Sequence, residues 1–340
     1  MNSVFVTIMA SVIAFSVTVS LGFVMIPYLH KLKFGQTILD IGPGWHKKKQ
    51  GTPTMGGIMF VIAILGAVLV TFFTDKVMGG DLIGSGNINK EVFYTRFWSG
   101  LLMAAGFAFV GLLDDYVKVA RRRNSGLTIV QKTVVQLALS IVYLLSMYSA
   151  GDDTMLVPFA GRISLGWFYW ILGICVVYGT INSVNFTDGT DGLCSSVTIT
   201  AAISFIVIAF IRKNTGASLL SGALLGGCAG FLVWNRNPAK IFMGDTGSMF
   251  LGGMIVAIAY VLECPVILLL VGIVYVIEGL SDVIQIGYFR LTRGKRIFRM
   301  APVHHHFELS GWSENKIAAV FSTVNLLGGL AGILVMYFGQ

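Results

Sequence analysis

The chain has 340 residues, of which 55% are hydrophobic and 12% are charged, and its mean hydropathy is +0.80. This balance excludes an ordinary soluble domain. The length of the chain therefore indicates how many membrane spans it can form, and not how many soluble domains. The formal net charge is +8. Because the basic residues lie between apolar runs, the charge argues against a nucleic-acid partner and favours membrane topology and phosphate ligands.

About ten apolar segments follow one another along the chain, and they are predicted to cross a lipid bilayer as helices. The first segment carries no basic residue before Ala14 and is too long for the apolar part of a cleavable signal, so it is predicted to be the first span. We therefore expect an all-α integral membrane protein in which residues 1–340 form a single polytopic domain. The predicted spans cover about 3–29, 55–74, 97–113, 129–149, 164–181, 195–211, 217–234, 247–262, 265–289 and 316–338.

Two local patterns refine this outline. Gly222, Gly226 and Gly230 recur every four residues in the seventh segment, which predicts close packing of that helix against a neighbour. Between the fourth and fifth segments, residues 155–165 are predicted to form a short β-hairpin around Ala160-Gly161 in an outer loop.

Lysine and arginine set the predicted orientation, because cytoplasmic loops carry the excess of both. The poorer set of loops holds only Lys76, Lys90, Arg96, Arg162, Arg212 and Lys213. The richer set is therefore predicted to face the cytoplasm, with both termini outside. An even number of spans agrees with termini on one side.

Aspartates are concentrated at three points along the chain. Asp114 and Asp115 follow the third segment, Asp188 and Asp191 follow the fifth, and Asp245 precedes the eighth. All three points fall on the predicted cytoplasmic face. Carboxylates gathered among basic residues at one membrane face indicate a metal-assisted site for a phosphorylated substrate.

Each cluster also has a simpler interpretation. Asp114 and Asp115 would form a solvated helix end that faces Arg121 to Arg123, and Asp245 would cap a helix with Ser248 nearby. The segment 185–192 would be an ordinary polar turn between spans, although so much irregular polar chain at a membrane surface needs partners or water.

Three further groups carry candidate chemistry. Lys47, Lys48 and Lys49 precede a glycine-rich turn, which indicates a phosphate contact for one of them or a cluster that only sets topology. The run His304 to His306 is predicted to point in different directions, so its members suit hydrogen bonds to phosphate or acid–base work more than one metal site. Glu278 and Asp282 lie one turn apart in the ninth segment. They would be proton-relay groups of a transporter or residues that pack helices together, and packing is favoured for Glu278.

Five motifs together resemble one family, the polyprenyl-phosphate N-acetylhexosamine-1-phosphate transferases. They are Gly-Thr-Pro-Thr-Met-Gly-Gly at 51–57, Leu-Asp-Asp-Tyr at 113–116, Asn-Phe-Thr-Asp-Gly-Thr-Asp-Gly at 185–192, Asn-Pro-Ala-Lys-Ile-Phe-Met-Gly-Asp-Thr-Gly-Ser at 237–248, and Ala-Pro-Val-His-His-His-Phe-Glu at 301–308. The first and last are most similar to the branch that uses UDP-N-acetylmuramoyl-pentapeptide. Thr190 departs from the pattern, since relatives often have leucine there.

The resemblance implies a bacterial multi-pass enzyme of the cytoplasmic membrane, with its active site on the cytoplasmic face. It would join UDP-N-acetylmuramoyl-pentapeptide to undecaprenyl phosphate, giving lipid I and UMP, with Mg²⁺ as cofactor. The resemblance also implies a homodimer. One-step attack by the lipid phosphate and a two-step route through an aspartyl phosphate both remain open, and direct attack is favoured because a phosphate is already largely ionised at neutral pH.

The resemblance also implies roles for individual residues. Asp245 would bind Mg²⁺ with support from Asp115, Asp114 would deprotonate or orient the lipid phosphate, and His304 would belong to the catalytic group. The implied substrate-binding residues are Lys49, Thr54, Asn185, Asp188, Gly189, Asp191, Asn235, Phe242, His305 and His306.

Two other functions stay open on the sequence. A UDP-N-acetylglucosamine-1-phosphate transferase for another glycan belongs to the same class and differs in its donor. A cation-coupled transporter would use Glu278 and Asp282, although transporters tend to bind near the bilayer midplane and the polar groups here gather at one face.

Overall fold

A computed structural model describes residues 1–31, 49–84, 90–121 and 125–339. Lys47, Lys48, Arg122 and Arg123, which the sequence analysis discusses, lie outside these ranges. The helices and strands are α1 Ser3–Lys31, α2 Gly57–Val77, α3 Lys90–Ala120, α4 Ile129–Ser149, β1 Thr154–Val157, β2 Gly161–Ser164, α5 Phe168–Thr187, α6 Leu193–Ile211, α7 Thr215–Asn235, α8 Gly244–Val261, α9 Leu268–Val271, α10 Ile273–Leu291, α11 Val303–Glu308 and α12 Glu314–Phe338.

The described residues contain nine helices that are long and apolar enough to cross a membrane, which confirms a helical, multi-span protein. The predicted ninth span at 265–289 is not one continuous helix. It is broken at Gly272 into the segments Pro265–Val271 and Ile273–Leu291, which meet at 87°. Counting this bent pair as one span gives up to ten.

A buried asparagine on α12 explains how the break is tolerated. Asn325 donates to the carbonyl of Val271 at 3.0 Å and accepts from the amide of Val274 at 3.3 Å. These are backbone groups on either side of the bend, and an apolar environment offers them no water. The glycine allows the chain to turn, and the asparagine satisfies what the turn exposes.

The predicted hairpin is confirmed as two antiparallel strands. Thr154 pairs with Ser164 and Val157 pairs with Gly161, so the turn falls where Ala160-Gly161 was predicted to place it. The amide of Leu156 also donates to the carbonyl of Glu263 at 2.9 Å, which ties the hairpin to the end of α8.

The glycine repeat in α7 packs against α1, as predicted. A β-carbon at Gly222 would lie 2.7 Å from the carbonyl oxygen of Thr7, and one at Gly230 would lie 2.8 Å from that of Phe15. At Gly226 the clash with the backbone carbonyl of Ser11 would be closer still. Only the missing side chains allow the two helix backbones to approach this far.

This packing makes a stability prediction. Gly226→Ala is expected to lower the melting temperature of the detergent-solubilised protein, because overpacking against a rigid carbonyl costs about 1–3 kcal/mol. Gly66→Ala is the matched control, since no atom lies within 4 Å of a β-carbon built on this helical glycine. An equal melting temperature for the two variants would contradict the packing argument.

Helix α8 lies at the centre of the bundle, because 89% of its 18 residues are buried. Small residues on α3 let it cross α8 closely, because a β-carbon at Gly100 would meet Ala257 and one at Gly253 would meet Ala104. Near the end of α3, a β-carbon at Gly111 would clash with the backbone of Asp245. This crossing brings the last turns of α3 against the first turn of α8.

The opposite ends of the same helices are joined by buried charges. Arg96 on α3 forms a two-pronged pair with Asp152 at 2.6 Å and a further ion pair with Glu263 at 2.5 Å, just beyond α8. Arg162 of β2 also reaches Glu263 at 2.6 Å. These contacts fix the register of α3 against α8 far from the aspartate clusters.

Candidate active site

Asp114, Asp115 and Asp245 converge where α3 meets α8. Each offers a carboxylate oxygen, and these oxygens all lie within 4.8 Å of one another. Asp114 and Asp115 are only 3% and 1% exposed. The alternative of a solvated helix end is therefore wrong for these two residues.

The helix boundary in this region also differs from the prediction. The third span was predicted to end at 113, whereas α3 continues to Ala120, so both aspartates sit inside the helix. The continuing turn places Lys118 on the same side of α3 as Asp114, four residues earlier. Its ammonium lies 2.6 Å from Asp114, 3.0 Å from Asp245 and 3.7 Å from Asp115.

A second lysine, Lys132 in the first turn of α4, lies 2.8 Å from Asp245. No role is predicted for Lys132 from the sequence. The signal was present, since Lys132 is a lone charge within an apolar segment, and such charges are costly unless they have a partner. Two ammonium groups thus neutralise part of the negative charge of three carboxylates.

Asp245 was considered from the sequence as the residue that caps the N-terminus of α8, but Asp115 is the residue whose carboxylate accepts from the free amides there. Its carboxylate accepts from the amides of Asp245 at 3.1 Å and Thr246 at 2.9 Å, and from the Thr246 hydroxyl at 2.7 Å. These donors belong to the first turn of α8, where backbone amides lack helical partners. Asp115 therefore anchors α8, while Asp245 keeps its carboxylate for side-chain partners.

The C-terminal end of α5 completes this cluster. Asn185 donates through Nδ2 to Asp245 Oδ1 at 2.9 Å and to the Ser248 hydroxyl at 2.7 Å. Asp188 follows α5 directly, and burial raises its pKa well above the usual range, with the charges of Asp245 and Asp115 adding to the shift. A cation among these carboxylates would favour their ionised forms.

A second cluster forms around Asp191 and is tied to Lys49. The Lys49 ammonium lies 2.6 Å from Asp191 and 2.6 Å from Glu314, at the start of α12. The other Asp191 oxygen accepts from Asn237 Nδ2 at 3.1 Å and from the amide of Ala239 at 2.9 Å. Asp191 thus holds three separate segments together, and Glu314 is a partner that the sequence analysis did not identify.

Asn235, Thr54 and Phe242 belong to the same surroundings. Asn235 is buried, accepts from the amide of Gly192 at 3.1 Å and donates to the carbonyl of Ile241 at 2.9 Å. Thr54 and Phe242 lie on chain segments that exchange backbone hydrogen bonds, with the Phe242 amide donating to the Pro53 carbonyl at 2.9 Å. Both residues are half-buried, and the Thr54 hydroxyl lies near Asp115, since a β-carbon built on Gly244 would contact both side chains.

The three histidines of α11 point to different partners, as predicted. His304 is fully buried and contacts Glu278 through Nδ1 at 3.0 Å. His305 contacts Glu308 at 2.8 Å, and His306 accepts from the amide of Arg299 at 3.1 Å. His304 lies against the loop that carries Asp188, because a β-carbon at Gly189 would clash with its ring.

The arrangement suits a divalent cation and phosphate groups. Asp245 and Asp114 face the two lysines, and carboxylate oxygens are the ligands that Mg²⁺ prefers. The ammonium groups lie where anionic oxygens of a substrate would be neutralised. This donor set therefore fits magnesium, and the site as a whole suits phosphoryl transfer.

Comparison with known proteins agrees with this geometry. A family model described as Glycosyl transferase family 4 matches residues 97–263, and a Phospho-N-acetylmuramoyl-pentapeptide-transferase signature matches residues 49–61. A protein of that name from Listeria innocua serovar 6a is 43% identical over 338 residues, covering 99% of this chain and 100% of the relative. The protein of the same name from Desulforamulus reducens is 43% identical over 333 residues, covering 96% and 94%. The chain belongs to the phospho-N-acetylmuramoyl-pentapeptide-transferase family.

The matches to this transferase family include the residues that meet at the site. The family 4 match contains Asp114, Asp115, Asn185 and Asp245, and the signature begins at Lys49. His304 lies outside both local matches.

Proposed function

We propose that this chain transfers phospho-N-acetylmuramoyl-pentapeptide from UDP-N-acetylmuramoyl-pentapeptide to undecaprenyl phosphate, giving lipid I and UMP in peptidoglycan synthesis. Full-length relatives with that activity in their names support the proposal. The observation that carries it is the cluster of Asp114, Asp115 and Asp245 within 4.8 Å. Two lysines contact Asp245 there, and their charges would help to neutralise the phosphate groups of the two substrates.

Magnesium is the proposed cofactor. Asp245 would be its main protein ligand, because its carboxylate takes no α8 amide and points at side chains. Asp115 would support the metal from its position as the cap of α8. When bound, Mg²⁺ would neutralise charge on the phosphate oxygens of the donor.

The chain's own residues would position the two substrates. Asp114, with one oxygen held by the amide of Leu127 at 2.8 Å, would orient the lipid phosphate or accept its proton. Lys118 and Lys132 would balance negative charge as the phosphates meet. The nucleotide sugar would be bound through the remaining predicted residues, namely Lys49, Thr54, Asn185, Asp188, Gly189, Asp191, Asn235, Phe242, His304, His305 and His306.

Direct attack is the proposed route. An oxygen of the lipid phosphate forms a bond to the β-phosphorus, while the bond from that phosphorus to the bridging oxygen breaks and UMP leaves with the electron pair. A phosphate has its second pKa near 6, so the attacking oxygen is mostly ionised at neutral pH without a strong base. Recovery of a phosphorylated enzyme after incubation with the nucleotide sugar alone would contradict this route.

The site would face the cytoplasm of a bacterial cell, with the protein in the plasma membrane and both termini outside. The excess of basic residues in the loops on that side supports this orientation. A homodimer is the proposed assembly, on the family resemblance alone.

A comparison of donors tests the proposal. We expect the purified protein with undecaprenyl phosphate to form a lipid-linked product from UDP-N-acetylmuramoyl-pentapeptide and none from UDP-N-acetylglucosamine, with mass spectrometry as the measurement. Product from the second donor alone would favour a transferase for another glycan. Ion transport in proteoliposomes without either product would favour the transporter.

A further inference from the structure

Glu278 on α10 and His304 on α11 form a pair that no solvent reaches. Both side chains are 0% exposed, and Glu278 Oε2 lies 3.0 Å from His304 Nδ1. Helix packing is the role that the sequence favours for Glu278. Burying a carboxylate costs free energy unless it is paired and hydrogen-bonded, so packing alone does not explain Glu278. Its contact with His304 is the place to look for its role.

Each residue of the pair has one polar side-chain atom that makes no hydrogen bond among the described residues. Within the described residues, His304 Nε2 and Glu278 Oε1 are buried and have no hydrogen-bond partner. Buried polar atoms are nearly always satisfied, so an orphan atom at such a place calls for a partner that arrives later.

The orphan Nε2 points at the loop after α5. It occupies the space that a side chain at residue 189 would take, and a β-carbon on Gly189 would clash with it. Gly189 lies four residues after Asn185, whose side-chain amide donates to Asp245 at 2.9 Å. Nε2 therefore faces the side of the bundle that carries the carboxylate cluster.

We propose that Glu278 is a positioning residue that orients the His304 ring and fixes its tautomer, so that Nε2 is the atom presented to the donor substrate. This inference rests on the proposed function. In the proposed tautomer, the Nδ1–H of His304 donates a hydrogen bond to the Glu278 carboxylate, which leaves Nε2 with its lone pair toward the loop. A hydrogen bond from one ring nitrogen to a carboxylate fixes the tautomer and the orientation of an imidazole.

A double-mutant cycle tests this role. Glu278→Gln is expected to lower kcat about 10- to 100-fold, the usual loss when the partner of a functional histidine is removed, with the KM of both substrates within about twofold. In a His304→Ala background the same substitution is expected to have little further effect. Glu91→Gln is the control, since it makes the same chemical change at an exposed residue in the first turn of α3, and its kcat is expected to stay within about threefold. Equal losses from Glu278→Gln in both backgrounds, or a fall in melting temperature that accounts for the loss, would overturn the proposal.

A spectroscopic measurement tests the pair without substrates. In the ¹⁵N-histidine-labelled protein, His304 is expected to carry its proton on Nδ1, and Glu278→Gln is expected to shift it toward the Nε2 tautomer. A parent protein whose neutral His304 carries its proton on Nε2 would overturn the proposal even if the enzyme is active. If instead the protein makes no lipid-linked product while the expected tautomer is found, the proposed function fails and the positioning of His304 by Glu278 stands.

Discussion

Asp245→Asn is expected to abolish turnover, with a loss of about 10³-fold or more, while the protein still inserts and folds. The Asp245 carboxylate is the common partner of Lys118, Lys132 and Asn185. Asparagine keeps the size but removes the charge that holds a divalent cation. Losing several kcal/mol of charge stabilisation corresponds to a step that is slower by this factor. The measurement is UMP release at saturating Mg²⁺ and both substrates.

The control for this variant is Asp81→Asn, the same chemical change in a distant loop. Asp81 is part-exposed and contacts Lys90 at 3.0 Å and Tyr94 at 2.6 Å, an arrangement worth at most about 1 kcal/mol. Its turnover is expected to equal that of the parent. Turnover by Asp245→Asn within tenfold of the parent would remove Asp245 from the metal role.

Lys118→Met should produce the second largest loss, about 10²-fold in kcat/KM, because one ammonium serves three carboxylates. Its nitrogen lies 2.6 Å from Asp114 and 3.0 Å from Asp245. Methionine keeps the apolar stem but leaves these carboxylates, and the phosphates of a bound substrate, with Lys132 alone. Removing a single preorganised group of this kind typically costs such a factor. Steady-state kinetics with both substrates varied is the measurement.

Two variants bracket this result. Lys118→Arg retains the charge on a planar group that does not fit three converging carboxylates, so an intermediate loss is expected. Lys76→Met removes an ammonium that contacts Asp81 and Tyr94 far from the site, and it is expected to leave kcat/KM unchanged. If Lys118→Met matched Lys76→Met, the charge-balancing role of Lys118 would be wrong.

Features that depend on local sequence were predictable. The hairpin follows from the turn signal at Ala160-Gly161, and the close packing of α7 follows from glycines spaced one helical turn apart, although the sequence does not identify α1 as its partner. The convergence of the three acidic clusters was also predictable, because alternate spans return the chain to the same face. Asp114, Asp115, Asn185 and Asp245 meet there as expected.

Features that depend on contacts between distant segments were not. Asn325 stabilises the break at Gly272 by accepting a hydrogen bond from the amide of Val274, which lies 51 residues earlier in the chain. The apolar composition alone gives no sign of that contact. The apolar composition of the third segment also predicts an end to α3 that is several residues too early. It gives no role to Lys132, because the partner of this charge, Asp245, lies on a distant segment. The role of Glu278 becomes visible only when α11 packs its histidine against it.

The most direct test of the transferase assignment is UMP release by the full-length, detergent-solubilised protein given UDP-N-acetylmuramoyl-pentapeptide and undecaprenyl phosphate, with Mg²⁺ or with EDTA. We expect release that requires both substrates, matches the lipid-linked product mole for mole and stops with EDTA. No UMP from the complete mixture, or equal release without the lipid phosphate, would contradict the assignment.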